Sequence, residues 1–296
     1  MNLSNQPPIF DHRRQWRDCR YVYPVLSRRS QGLSIGVNLN LNKACNFACL
    51  YCQIDRRVSR KDHDVDLDVL AGELRLALEE ALDGRLWEEP RFARVAAELR
   101  RINDIAFSGD GEPTCLENFD QAVQVAADVR LHLRAEQVKI VVLTNATQLG
   151  SPQFDRALPI LHAHNGEIWA KLDAGTQAYF LTVNRPRPVV SLDQIVWNIT
   201  RISLDRPVVI QSLFFKIDGV PPPPEELEAY CGRLKDILAG GGKIKLVQAH
   251  TIARSPASAS ASALADAELD AIADQVRRRV NVPIEVYYGL DVGPQE

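Results

Sequence analysis

The sequence LSIGVNLNLNKACNFACLYC, residues 33–52, joins an apolar strand pattern to three closely spaced cysteines. The run from Leu33 to Leu41 precedes Cys45, Cys49 and Cys52, which follow at the spacing C-x3-C-x2-C. Three thiolates on one short loop can converge on a single soft metal centre. A four-iron cluster held by only three of them keeps one iron open for another ligand. The stretch therefore predicts a strand that ends in a metal-binding loop.

A structural zinc site is the alternative for these cysteines. Such a site normally closes its tetrahedron with a fourth Cys or His, but the nearest downstream histidine, His63, lies eleven residues beyond Cys52. The remaining cysteines, Cys19, Cys115 and Cys231, have no metal-ligand spacing among themselves and are expected to be structural thiols. Six cysteines in 296 residues are too sparse for a disulfide framework, which indicates a reducing compartment and a cytoplasmic protein.

Outside the loop, apolar β-branched runs alternate with segments of helical period, the pattern of repeated βα units. The expected strands are residues 33–41, 104–107, 139–143, 167–172, 207–215 and 243–250, followed by a run at 284–288 that is either an extra strand or a terminal lid. Leucines 67, 70, 74, 78 and 82 predict one buried helix face. Further helices are expected at residues 91–101, 118–133, 152–162, 191–203, 224–239 and 266–279. The pattern predicts the α/β class and a partial (β/α)6 TIM-like barrel.

This pattern also suggests three segments. Residues 1–32 are expected to be an N-terminal extension packed on the barrel, residues 33–254 the barrel itself, and residues 255–296 a helix and strand that cap it. The Ser/Ala-rich stretch 255–265 is expected to be a mobile connection, with closure over substrate as the alternative. The chain opens with polar residues and prolines and contains no run of eighteen apolar residues, so we expect no membrane association.

Polar motifs follow the expected strands. They are Ser108-Gly109-Asp110-Gly111-Glu112-Pro113-Thr114, the pair Thr144 and Asn145, the segment Lys171-Leu172-Asp173-Ala174-Gly175, and Asn184-Arg185-Pro186. In parallel barrels the reactive groups collect at the C-terminal ends of strands, which favours a binding site there. The alternatives are a helix cap for Thr144 and Asn145 and a surface ion pair for Arg185.

The cysteine spacing, with Asn46 after the first cysteine and Tyr51 before the third, resembles the signature of the radical S-adenosylmethionine enzymes. The motif Ser108–Thr114 and the segments at 171–175 and 184–186 resemble those of the wyosine-synthase-like branch. The resemblance implies the partial barrel of that superfamily and a [4Fe-4S] cluster. It also implies S-adenosylmethionine on the open iron, cleaved by one electron to a 5′-deoxyadenosyl radical that abstracts a substrate hydrogen.

The resemblance also implies roles for individual residues. Ser108, Gly109, Asp110, Gly111 and Glu112 stand where the superfamily has a Gly-Gly-Glu segment that binds the amino group of S-adenosylmethionine, with Asp110 as a departure. Tyr51 is expected beside adenine, Thr144 and Asn145 near ribose or carboxylate, Lys171 or Asp173 on ribose hydroxyls, and Arg185 on the carboxylate. No catalytic residue is identified; Lys171 and His250 are the candidates, and an ordinary polar role is the alternative for His250.

The substrate is less defined. The net charge of −3 gives no global basic field, but Arg13, Arg14, Arg17, Arg20, Arg28 and Arg29, with Arg56, Arg57, Arg60 and Lys61, could form a local basic surface. The resemblance implies a modified nucleoside in tRNA, although only Cys19 precedes the motif, so the second cluster of the archaeal wyosine enzymes lacks its ligands. A small-molecule substrate, a radical activase or peptide-modifying enzyme, and a non-catalytic iron–sulfur or zinc protein remain as alternatives. Flavodoxin or ferredoxin is the expected electron donor.

Overall fold

The computed structural model describes residues 14–56, 64–254 and 256–289. These residues divide into two compact units. Of the described residues, the first unit contains 14–45, 64–143 and 151–168, and the second contains 46–56, 144–150, 169–254 and 256–289.

The first unit is built on parallel strands with one antiparallel edge. Its elements are β1 (Val22–Ser27), β2 (Gly32–Val37), α1 (Leu67–Leu82), β3 (Ile102–Phe107), α2 (Phe119–His132), β4 (Lys139–Thr144), α3 (Pro152–Ala163) and the start of β5 (Gly166–Lys171). The strand order is β1-β2-β3-β4, in which β1 runs antiparallel to β2 and the others are parallel. The edge strand β1 lies in the segment expected to be an extension and was not predicted.

The leucine-rich helix α1 is confirmed, with one change at its end. Asp66 caps it by accepting hydrogen bonds from the amides of Asp68 and Val69. Leu70, Leu74 and Leu78 are fully buried in the core, whereas Leu82 is 44% exposed. The expected buried face therefore ends one turn before the helix does.

The predicted helix at residues 91–101 is wrong. The chain there forms only a short 3-10 turn, Ala97–Leu99, preceded by another at Arg85–Glu88. The guanidinium of Arg100 donates hydrogen bonds to the carbonyl oxygens of Val95 (2.9 Å) and Ala93 (3.0 Å). Because these acceptors are satisfied by a side chain, the segment needs no continuous helical ladder.

The second unit continues the alternation of strands and helices. It contains the end of β5, α4 (Gln177–Val183), α5 (Leu192–Ile202), β6 (Val208–Leu213), β7 (Phe215–Ile217), α6 (Pro224–Ala239), β8 (Ile244–His250), β9 (Ala261–Ala263), α7 (Asp266–Arg279) and β10 (Ile284–Tyr287). The order β5-β6-β8-β10 is parallel throughout. Its register aligns Lys171 with Gln211 and Gln211 with Gln248 across neighbouring strands.

Two expectations in this unit are settled by the strands. The run at 284–288 forms β10, which pairs with β8, so it is a strand. Within the stretch 255–265, Ala261–Ala263 forms β9 and pairs antiparallel with β7, so this part is a strand and not the loop expected there, whereas its mobility stays a prediction; Ser255 lies outside the described residues. The boundaries of the three expected segments stay a prediction. None of the helices described is long and apolar enough to cross a membrane.

Candidate functional site

Three buried asparagines shape the chain between β2 and the first cysteine. Asn38, Asn40 and Asn42 are each at most 8% exposed. The side-chain oxygen of Asn38 accepts from the amide of Asn40 (3.2 Å), and that of Asn42 accepts from the amide of Ala44 (2.9 Å). Such side-chain to backbone bonds stabilise turns. We had not singled out these residues, although their spacing of two at a strand end was visible in the sequence.

The loop after β3 lies directly against this turn within the first unit. A β-carbon on Gly109 would come 2.2 Å from Asn38 Oδ1, and one on Gly111 would come 1.9 Å from the carbonyl oxygen of Ala44. The amide of Glu112 donates to that same oxygen over 3.1 Å. Both glycines are therefore required by close approach. The residue before Cys45 is thus joined to the predicted cofactor-binding motif.

Asp110, the residue that departs from the superfamily pattern, contacts the neighbouring loops. Its carboxylate accepts hydrogen bonds from Asn38 Nδ2 (2.9 Å) and from the guanidinium of Arg14. Its amide donates to Asn38 Oδ1 (3.1 Å). These contacts give Asp110 a clear part in holding the strand ends together. On the same loop, the hydroxyl of Ser108 lies 3.3 Å from that of Tyr23.

Glu112 is a buried carboxylate at the start of a short 3-10 turn, Pro113–Cys115. The residue is 3% exposed, and its Oε1 accepts from the hydroxyl (2.6 Å) and the amide (3.3 Å) of Thr114. A carboxylate fixed in this way has a defined direction, and its oxygens can each accept more than one hydrogen bond.

In the second unit the cysteine loop is fixed by backbone hydrogen bonds to the segment after α4. The amide of Ala48 donates to the carbonyl of Asn184 (3.1 Å), that of Leu50 to Val183 (2.9 Å), and that of Arg187 to Asn46 (2.7 Å). Leu50 and Tyr51 also belong to an apolar cluster that includes Phe215 and Ala261, with Cys49 packed against it. The amide of Ala257 donates to the carbonyl of Cys52 (3.0 Å), so the Ser/Ala-rich stretch contacts the loop.

The side chain of Asn46 belongs to a closed triangle of hydrogen bonds. It donates to the hydroxyl of Thr147 and accepts from Asn145 Nδ2, and the hydroxyl of Thr147 donates to Asn145 Oδ1. Each of the three donor–acceptor distances is 2.7 Å. Next to it, the hydroxyl of Thr144 accepts from the amide of Ala146 (3.1 Å). Thr144 and Asn145 thus organise their own loop, and Ser151 instead caps α3. Thr147 was not predicted.

A second buried network surrounds Cys49. The hydroxyl of Tyr51 donates to Asp173 Oδ2, and Asn184 Nδ2 donates to the same oxygen (2.8 Å). Lys171 Nζ lies 3.8 Å from that oxygen and 4.5 Å from the centre of the Tyr51 ring. Asn184 Nδ2 is also 3.6 Å from the sulfur of Cys49. Three residues predicted as cofactor contacts, Tyr51, Lys171 and Asp173, are therefore brought together.

Electrostatics in this network follow from burial. Burial raises the pKa of the Cys49 thiol, and the charge of Lys171 partly opposes that rise. Burial, followed by the nearby charge of Asp173, holds the pKa of Tyr51 well above its ordinary value. Tyr51 therefore remains protonated and donates its hydrogen bond over the whole physiological pH range.

Arg185 and His250, the other residues predicted at the strand ends, each form a hydrogen bond with a backbone carbonyl group. The Nε of exposed Arg185 donates to the carbonyl of Thr182 (3.2 Å). The ring Nδ1 of His250 donates to the carbonyl of Gln248 (3.3 Å), which requires the proton on that nitrogen. Gln211 Nε2 donates to Gln248 Oε1 (2.9 Å) on the neighbouring strand.

The expected basic surface is reduced by ion pairs within the first unit. Arg14 pairs with Asp110, and Arg17 donates to Glu80 (2.8 Å) and Glu89 (2.8 Å). Of the other arginines and lysines expected there, Arg13, Arg57, Arg60 and Lys61 lie outside the described residues.

The chemistry of the three cysteines fits an iron–sulfur cluster. Cys45, Cys49 and Cys52 are all partly exposed cysteines outside any disulfide, and thiolate is the ligand type that such clusters use. Two of their sulfurs have hydrogen-bond donors, from Asn184 at Cys49 and from Arg56 Nη2 at Cys52 (3.5 Å). In the conformation described, no three Cys, His, Asp or Glu side chains within residues 14–56, 64–254 and 256–289 converge as metal ligands.

Comparison with solved structures defines the class of fold. The chain has the fold of the radical S-adenosylmethionine enzymes, which confirms the partial (β/α)6 TIM-like barrel expected from the sequence. A radical SAM methyltransferase from Sphaerobacter thermophilus is similar at a TM-score of 0.62 and 13% identity, covering 92% of this chain and 70% of that one. No family profile and no curated protein matches the sequence.

Two further structures are similar to the chain. Streptococcus suis SuiB bound to S-adenosylmethionine matches with a TM-score of 0.57 and 14% identity over 88% of this chain and 52% of that one. The chain thus spans about half the length of SuiB. A structure of TYW1 with a lysine-pyruvate adduct bound matches at 13% identity over 84% of this chain and 74% of that one, with a TM-score of 0.49 that is too low to support an argument.

Proposed function

We propose that this chain is a radical S-adenosylmethionine enzyme. The observation that carries the proposal is the contact between Ala44, which precedes Cys45, and the Gly111–Glu112 segment. That contact joins the start of the cysteine loop to the motif proposed to bind the cofactor's amino group. A structural zinc loop has no need of such a partner.

Cys45, Cys49 and Cys52 would hold a [4Fe-4S] cluster as three thiolate ligands and leave one iron for S-adenosylmethionine. When bound, cluster and cofactor supply a one-electron cleavage and, through it, the abstraction of a hydrogen atom from substrate. Two similar solved structures support this proposal, because one is a radical SAM methyltransferase and the other is bound to S-adenosylmethionine.

The chain's own residues would bind and orient the cofactor. The fixed carboxylate of Glu112 can accept from the ammonium group, because its direction is already set by Thr114. Ser108, Gly109, Asp110 and Gly111 would line that approach. Thr144 and Asn145 would contact ribose or carboxylate, Lys171 or Asp173 would contact the ribose hydroxyls, and Arg185 would pair with the carboxylate. Tyr51 would lie beside the adenine.

The substrate and the electron donor are further parts of the proposal. Flavodoxin or ferredoxin would supply the electron. The resemblance of the sequence motifs to the wyosine-synthase-like branch favours a modified nucleoside in tRNA as the substrate. The ion pairs of Arg14 and Arg17 leave fewer N-terminal arginines for phosphate contacts. Retention on bulk tRNA at low salt that is lost when Arg56, Arg57 and Arg60 are neutralised is the expected result, and no retention by the unaltered protein argues against RNA.

Anaerobic reconstitution with iron and sulfide tests the central proposal. The protein should take up about four irons per chain and release 5′-deoxyadenosine when given dithionite and S-adenosylmethionine. Cys49→Ala should abolish both. A protein that takes up no iron, or that takes it up and never yields 5′-deoxyadenosine, contradicts the proposal.

Glu112 is tested separately by cofactor binding. Glu112→Gln should keep the cluster and weaken S-adenosylmethionine binding by about tenfold or more, because a neutral amide loses the charge that attracts the ammonium. Glu117→Gln, an exposed residue of the same loop, is the matched control and should bind like the unaltered protein. Equal affinities in the two variants would remove Glu112 from the cofactor site.

A further inference from the structure

The sulfur of Cys49 lies beside a buried side-chain amide. Asn184 is 2% exposed, and its Nδ2 is 3.6 Å from Cys49 Sγ, a distance suited to an N–H···S hydrogen bond. The two residues are 135 positions apart in the sequence, so the fold brings them together.

The direction of this amide is fixed by its other partners. Asn184 Nδ2 lies 2.8 Å from Asp173 Oδ2, and turning the amide over would set two oxygens against each other. Asp173 is itself held, because its Oδ1 accepts from the amide of Leu213 (2.9 Å) and its Oδ2 accepts from the hydroxyl of Tyr51. The N–H group of Asn184 therefore stays directed at this side of Cys49.

The other end of the same amide is its carbonyl oxygen, Oδ1. Asn184 Oδ1 is buried and accepts no hydrogen bond from any described residue. An unsatisfied buried carbonyl opposes folding, so the favourable interactions of this side chain are those of its N–H groups with Asp173 and Cys49. What the residue provides is its N–H group.

A cationic donor stands at a second cysteine. Arg56 Nη2 lies 3.5 Å from the sulfur of Cys52. Cys49 and Cys52 thus each have a nitrogen donor, one neutral and one positively charged.

We infer that Asn184 and Arg56 are positioning residues that raise the reduction potential of the cluster through hydrogen bonds to Cys49 and Cys52. The inference rests on the proposed function, because the two cysteines must ligate iron. Hydrogen bonds to the ligand sulfurs stabilise the more negative, reduced state of a cluster, and they are among the factors that set its potential. The guanidinium of Arg56 adds a positive charge that acts in the same direction.

A redox titration followed by electron paramagnetic resonance tests this on the reconstituted protein. Asn184→Ala and Arg56→Gln should each move the midpoint potential to a more negative value, and Arg56→Lys should recover part of the Arg56 shift. Asn198→Ala is the matched control, because Asn198 is also buried in the second unit and donates to the carbonyl of Ala146 (2.8 Å). Unaltered potentials in both Asn184→Ala and Arg56→Gln overturn the inference.

A measurement on the metal-free protein keeps the inference testable where a variant fails to assemble a cluster. With asparagine side chains labelled by nitrogen-15, the amide signal of Asn184, assigned by its loss in Asn184→Ala, should shift in Cys49→Ala. It should not shift in Cys231→Ala, which removes another thiol of the same unit. If the Asn184 signal does not shift in Cys49→Ala, this inference is wrong and the proposed function is unaffected. If the wild-type protein forms no cluster, the proposed function is wrong.

Discussion

A β-carbon on Gly111 would come within 1.9 Å of the carbonyl oxygen of Ala44. Side chains cannot approach a backbone oxygen this closely, so the two loops can lie together only because residue 111 has no side chain. The adjacent hydrogen bond from the amide of Glu112 to the same oxygen fixes that separation.

Gly111→Ala should therefore push the residue before Cys45 away from the loop after β3. We expect a loss of roughly 1–3 kcal/mol in the free energy of unfolding, the usual cost of forcing an extra methyl group into a packed region. We also expect less iron to be taken up on anaerobic reconstitution. Thermal or chemical unfolding and iron analysis check both outcomes.

Gly72→Ala is the matched control for this variant. Gly72 lies inside α1, and a β-carbon there would meet nothing within 4 Å. Alanine is the better helix former, so this change should stabilise the protein by roughly 0.5–1 kcal/mol and leave iron uptake unaltered. Equal effects of the two substitutions would contradict the argument from close approach.

Sequence patterns predicted the elements whose signal is local. The helices α1 and α7 follow from apolar residues at helical spacing, and β3 and β4 follow from short β-branched runs. The segment at 91–101 has a helical sequence pattern but does not form the expected helix. The side chain of Arg100 donates a hydrogen bond to a carbonyl group of this segment that a helix would use in its backbone hydrogen bonds. The short helix α4 and the three-residue strands β7 and β9 were missed because so few residues form no clear period.

The candidate site shows the same division between local and distant information. The spacing of the three cysteines and the motif ending in Glu112 are visible along the chain. The bond from Asn184 to Cys49 joins residues 135 positions apart, and no single-sequence pattern reports it. Thr147 and Asn38 act only through the partners that the fold gives them, so their roles could not be read before those partners were known.

Thr147 allows a test of the triangle that holds Asn46. Thr147→Val has the same shape but no hydroxyl, so Asn46 loses its acceptor and Asn145 loses one donor. We expect a loss of about 1–2 kcal/mol in the free energy of unfolding. Thr147→Ser keeps the hydroxyl and should lose less. Denaturant unfolding of the wild-type protein and both variants checks this. A serine variant less stable than the valine variant would contradict the role of the hydroxyl.

Glu226 holds the loop that follows Asp173. Its buried carboxylate accepts from the amide of Gly175 and from the amide and hydroxyl (2.6 Å) of Thr176. Glu226→Ala leaves these donors without a partner and should lower the free energy of unfolding by about 2–4 kcal/mol. Glu225→Ala, the exposed neighbour on the same helix, should change it by less than about 0.5 kcal/mol. Similar losses in both variants, measured by denaturant unfolding, would show that Glu226 is not the restraint.

Asp104, on β3, makes the stability of the first unit depend on pH. Burial raises its pKa from the ordinary 3.8 to about 6, although the hydroxyl of Ser34 donates to it. The folded state therefore binds this proton more tightly than the unfolded chain does. The resulting stability is fully present below pH 3.8 and is lost as the pH rises through 6.

At neutral pH the buried charge of Asp104 costs roughly 3 kcal/mol, which Asp104→Asn should relieve, because the amide oxygen can still accept from Ser34. The variant should unfold at a higher temperature than the unaltered protein near pH 7.5, and its advantage should shrink by about half near pH 5. Asp128→Asn removes one exposed charge from α2 and serves as the control. If the gain in unfolding temperature of Asp104→Asn is the same at both pH values, the raised pKa of Asp104 is contradicted. The gain should depend on pH because it comes from the ionisation of the buried carboxyl group.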